Sequence, residues 1–144
     1  MDLWLNSNTT GIQVYWRGNS NENFANNLAY IYLRKGQLRE AKQILENRSW
    51  RKGYFFVVAT KGLLNILEGN INQGVRLYDE AENLAWNTEL KRLVRQKKYL
   101  ELGRYYLVSG DIQNAKTELH KALSVKTLAT VYSLEVEKLL SIIS

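Results

Sequence analysis

The sequence contains no cysteine and a single histidine, His120. Without cysteine there is no disulfide framework, no thiolate zinc site and no cysteine nucleophile. One histidine also excludes a multi-histidine metal centre. No stretch approaches the ~18 apolar residues that a membrane-crossing helix needs, so membrane insertion is not expected. Glycine-rich phosphate loops are missing, and proline is absent. Residues 1–5 (MDLWL) place an acid at the start, lack Lys or Arg and soon turn polar. That is not a signal peptide, and the cytoplasm is the default expectation. A chain cut from a longer or exported protein would read the same.

What is present has a globular balance: 45% hydrophobic and 24% charged residues over 144 positions. That excludes wholesale disorder and suits one compact domain or a short repeat array. Twenty Lys and Arg against 14 Asp and Glu leave a net charge of +6.

The chain repeats itself. Lys35–Ala41 (KGQLREA), Glu68–Gly74 (EGNINQG) and Ser109–Ala115 (SGDIQNA) share Gly, a polar residue, Leu or Ile, two polar residues and a small one. Gly36, Gly69 and Gly110 can take the left-handed conformation that ends a helix, with Gln37, Asn70 and Asp111 placed to cap the next. The small residues Ala41, Gly74 and Ala115 mark close helix crossings, as do Ala29, Gly62 and Gly103 seven before each Gly. Leu45, Tyr78 and Leu119 lie nine after it, so the spacing predicts helix–turn–helix hairpins with one buried stripe.

These residues resemble the tetratricopeptide repeat, a unit of 34 residues. The likeness covers about residues 22–124 and departs from the family at Arg48, Lys61 and Trp86, the last standing where the family ends its unit with proline. The resemblance implies an all-α right-handed superhelix of three antiparallel helix pairs. Units are expected at about 22–54, 55–88 and 96–126, with a capping helix at about 127–143. The first two Gly are 33 apart and the next two 41, so about two extra helical turns should lengthen the third unit's first helix. Leu128, Val131, Tyr132, Leu134, Val136, Leu139 and Leu140 are expected on the capping helix, which covers the array's last apolar face. Residues 1–21 are expected to form an amino-terminal extension of two short extended pieces, with Trp4 and Trp16 as anchors.

In that family the first helix of each unit lines a concave surface. Carried over, the lining positions are Asn23, Asn26, Tyr30, Leu33 and Arg34, then Phe56, Ala59, Leu63, Ile66 and Leu67. The third unit gives Lys97, Leu100, Arg104, Leu107 and Val108. Tyr30 and Leu63 replace the asparagines with which some family members clamp chaperone tails, so that clamp is not met. A largely apolar groove is expected, to hold a peptide or helix of a partner protein, the chain's own Trp4/Trp16 segment or a second copy in a homodimer. Some of these positions would otherwise simply pack against neighbouring helices. On the groove reading, glutamate at Leu63 should spare the fold and abolish capture.

Lys91, Arg95 and Lys98 recur at helical spacing as a basic stripe, which suits a solvated face or contact with an acidic partner or nucleic acid. Asp79, Glu80 and Glu82 cluster on the second unit's second helix and read as a solvated face. His120, one past a core position, should point outward. No catalytic residue, cofactor or metal site is indicated, and a non-catalytic interaction scaffold is expected. The repeat portion of a larger protein, active elsewhere, is a further alternative.

Overall fold

The computed structural model describes residues 20–143. Among these it is all-helical: α1 (Ser20–Arg34), α2 (Leu38–Glu46), α3 (Phe55–Leu67), α4 (Ile71–Leu84), α5 (Thr88–Val108), α6 (Ile112–Ser124) and α7 (Thr130–Ile143). The expected extended pieces around Trp4 and Trp16 lie outside the described residues.

The three glycine turns are built alike. Gly36, Gly69 and Gly110 have φ of 78°, 89° and 83°. In each, the glycine N–H bonds back to a carbonyl three residues earlier (Leu33, Ile66, Leu107) at 3.0–3.2 Å. The next N–H reaches the carbonyl five residues earlier (Tyr32, Asn65, Tyr106) at 2.8–2.9 Å. This doubled bond is the Schellman closure, which satisfies carbonyls that a helix end leaves open. Capping of the following helix is less uniform. Asp111 Oδ1 accepts from Asn114 N–H at 3.1 Å, whereas Gln37 and Asn70 occupy the cap position without a side-chain bond.

Each turn joins two helices that pack on one another: α1 on α2, α3 on α4, α5 on α6. The small residues sit where these pairs cross, and Ala29, Ala41, Gly62, Gly74, Gly103 and Ala115 are all buried. A Cβ added at Gly74 would stand 2.8 Å from the Gly62 carbonyl oxygen and 2.5 Å from Ile66 Cγ1. The backbones of α3 and α4 approach too closely for any side chain there. α1, α3, α5 and α7 also touch in succession, so one continuous core runs through all seven helices.

Two features differ from the expected frame, the start of α1 and the buried stripe of α7. α1 begins at Ser20, two residues before the expected unit. The lengthening expected of the third unit's first helix is present: α5 starts at Thr88 and spans 21 residues against 13 for α3. Asn87 caps it, accepting from Leu90 N–H at 2.8 Å. In α7 the buried stripe is Tyr132, Val136 and Leu140, while Leu128 and Leu134 are exposed. Burying every fourth residue lets only one face of α7 meet α5 and α6, and Leu134 falls off it.

The connection from α2 to α3 is held by aromatic and polar contacts. Trp50 Nε1 donates to the Leu45 carbonyl at 2.9 Å and Arg51 N–H to Glu22 Oε2 at 2.6 Å. Trp50 stacks on Tyr54, whose hydroxyl donates to Asn23 Oδ1 at 2.5 Å. Burial pushes the Tyr54 phenol above its usual range, with Glu22 adding to the effect.

Candidate functional site

The residues expected to line a groove lie on α1, α3 and α5, which pack side by side. Most of them are closed off. Asn23, Asn26, Tyr30, Leu33, Phe56, Ala59, Leu63, Ile66, Lys97 and Leu100 are buried, Leu67, Arg104 and Leu107 are half-exposed, and Arg34 and Val108 are exposed. The expectation of a groove open along its length is corrected here, because these side chains fill the seam between successive first helices. Leu63 is 1% exposed, so a glutamate there would bury an unpaired charge rather than spare the fold. Asn26 is fully buried, and among the described residues its amide has no hydrogen-bond partner.

Lys97 organises the seam. Its side chain is 0% exposed, and its ammonium donates to the Tyr30 hydroxyl while standing 3.5 Å from Glu101 Oε2. The Tyr30 hydroxyl donates in turn to Glu101 Oε2 at 2.7 Å. The ammonium also lies 4.1 Å from the Tyr30 ring centre and 5.0 Å from that of Tyr132. On its other oxygen, Glu101 meets Arg104 at 3.2 Å and Arg34 at 3.8 Å. Arg104 continues to Glu135 at 3.3 Å. This chain of charges ties α1, α5 and α7 together. Removing ions from water is costly, and only mutual pairing with further hydrogen bonds and aromatic faces offsets it.

Beyond this knot the seam opens. A cleft of about 420 Å³ lies between the carboxyl-terminal parts of α1, α3 and α5 and the middle of α7. Leu33 and Leu63 line it together with Leu67, Leu107, Val108 and Leu139, and Arg34, Arg104, Glu101 and Glu135 supply its charges. Val108 is 89% exposed, so part of this apolar surface is wet. The volume falls in the usual range of ligand sites, ~300–1,000 Å³. Of the residues carried over from the family, the structure gathers the last positions of each first helix at this cleft and seals the earlier ones.

The basic stripe on α5 faces α4. Lys98 pairs with Asp79 at 2.8 Å and Arg95 with Glu82, while Lys91 donates to the Glu82 and Asn83 carbonyls at the end of α4. The hydrogen bond with Glu82 holds the Arg95 guanidinium above its ordinary value. The acidic cluster and the basic stripe are thus two halves of one helix–helix contact, leaving Glu80 outside it on the surface. His120 is exposed. Among the described residues no group of His, Asp and Glu converges as a metal would require, and no helix is long and apolar enough to cross a membrane.

Two functional positions escape apolar periodicity. Gln96, fully buried, shares its two Nε2 hydrogens among the Ala122 and Val125 carbonyls and Ser133 Oγ, all at 3.1–3.2 Å. Glu89 accepts from Leu128 N–H at 2.7 Å. Both lie in the amino-terminal half of α5 and fasten the link between α6 and α7. The one signal pointing to them is the surplus length between the second and third glycine turns. No family model, curated protein or solved structure matches the chain.

Proposed function

We propose that the chain is a non-catalytic interaction scaffold of tetratricopeptide-like design, which holds a peptide or short helix of a partner protein in the cleft between α1, α3, α5 and α7. The observation that carries this reading is the wet apolar cleft itself, beside fixed charges of both signs. Leu67, Leu107, Val108 and Leu139 offer apolar contact, and Arg34 and Glu135 offer orienting charges at its edge. A short amphipathic helix presents the matching pattern, apolar on one face and charged beside it. Three like glycine turns and the succession of first helices support a stacked right-handed array, and such arrays serve mainly as binding surfaces.

The alternative reading, nucleic acid or an acidic partner bound along Lys91, Arg95 and Lys98, loses support because those cations already engage α4. Affinity purification with identified partners, then direct binding to the purified partner, tests the proposal. Val108→Glu places a charge at the cleft and should weaken binding by at least about ten-fold, equivalent to ~1.4 kcal/mol. Leu128→Glu, an exposed position outside the cleft, should leave binding intact. A partner held equally by all three proteins would place recognition elsewhere.

A further inference from the structure

A second concavity lies on the opposite face of α5, at its junction with α6. It is a bowl of about 490 Å³ lined by Arg92, Arg95, Tyr99, Lys121, Ser124 and Lys126, with no acid in its lining. Its cations are not equivalent. Arg95 and Lys121 already engage Glu82 and Glu118. Arg92 and Lys126 are exposed and have no acidic partner among the described residues. Residues 88–126 hold nine Lys and Arg against four Asp and Glu, so +5 of the chain's net +6 falls in this quarter of the sequence. A concavity lined by one sign of charge concentrates its field and draws in the opposite ion.

We propose that this bowl binds a small molecule carrying clustered phosphate groups. Arg92 offers a planar fork that matches phosphate oxygens and Lys126 a point charge, while Arg95 and Lys121, each shared with an acid, add positive charge at the border. Tyr99 and Ser124 put hydroxyls in the same lining. Phosphate suits four cations around one bowl better than carboxylate does, since each group brings up to two charges and three acceptor oxygens. An extended nucleic-acid track fits less well. It needs open aromatic faces on which bases stack, and the one aromatic in the bowl, Tyr99, already has the Lys98 and Lys121 ammonium groups 4.8 Å and 5.7 Å from its ring centre. The site is independent of the apolar cleft, so either can fail alone.

Calorimetric titration with inorganic tripolyphosphate at about 0.15 M salt tests the site. One saturable site is expected, weakened at least about ten-fold in R92E/K126E. R39E/K52E, which makes the same change of charge at exposed positions on α2 and beyond it, should bind as the parent does. Melting curves check that both variants remain folded. Free inositol hexakisphosphate and vesicles bearing a bisphosphorylated inositol lipid then separate a soluble ligand from a headgroup, and binding of either that fails in R92E/K126E upholds the site. Absence of saturable binding to all three probes, or equal binding by both double variants, overturns it. So does a short single-stranded RNA that binds at least about ten-fold tighter than tripolyphosphate through the same residues, since the surface would then be a nucleic-acid track.

Discussion

Helix α5 carries charge on two neighbouring faces, and the two faces work under different physics. Toward α1 and α7, Lys97 and Glu101 are sealed from water and held by Tyr30, Tyr132, Arg34 and Arg104. Toward α4, Lys98 meets Asp79, half of whose side-chain surface is open to solvent. Lys97 and Lys98 are neighbours in the chain, yet 100° of helical rotation puts one inside and the other at the edge. The first is a buried network in which removing one ion leaves another short of partners. The second is a weak clasp in high dielectric.

The inner face gives the largest expected effect. Lys97→Met removes the cation and leaves Glu101 buried with fewer partners, so stability should fall by about 3–5 kcal/mol in chemical denaturation. The triple variant Y30F/K97M/E101L takes out both ions and the buried hydroxyl between them, leaves Arg104 with Glu135, and should recover most of that loss. If the single variant costs less than about 1 kcal/mol, the ions are hydrated in solution and the contrast between the faces disappears.

Packing between the helix pairs sharpens the comparison, because there sterics alone decide. Gly74→Ala drives a Cβ against the Gly62 backbone oxygen, which cannot turn aside, and should lower stability by about 1–3 kcal/mol. At Gly103 the obstacle is the Leu119 side chain, 2.5 Å away at Cδ2 and 2.7 Å at Cγ, with the nearest backbone atom at 3.6 Å. Gly103→Ala should therefore cost less than Gly74→Ala, as paired thermal melts would register. The reverse order would mean that α3 and α4 are free to move apart.

These two faces also explain how far the sequence could be read. Gly36, Gly69 and Gly110 were legible because a helix end needs positive φ, and glycine reaches it without strain. Ala41, Gly74 and Ala115 were legible because small residues at fixed spacing mark close crossings. Polar burial was not. The pattern that set Lys97 in an accessible groove is the pattern of a buried one, since periodicity reports a side and not what covers it. The acids Asp79 and Glu82 and the stripe Lys91, Arg95 and Lys98 were each visible as surface charge. Their pairing depends on how α4 and α5 lie together, which no single helix encodes. At the cleft, Leu67 and Val108 were legible as carried-over groove positions, whereas the share of α7, Glu135 and Leu139, was not, since it depends on where the last helix lies.

The outer face supplies the smallest effect. In a double-mutant cycle of Lys98→Ala and Asp79→Ala, the coupling energy should be no more than about 1 kcal/mol, because Asp79 keeps much of its hydration and both side chains lose entropy on pairing. At 1 M salt the Debye length shrinks to about 3 Å, and the coupling should fall toward zero. The same salt should leave the Lys97→Met penalty nearly unchanged, because ions that water does not reach are not screened by it. A salt response shared by both sites would mean that water enters the seam, and that the knot around Glu101 is a surface network like the other.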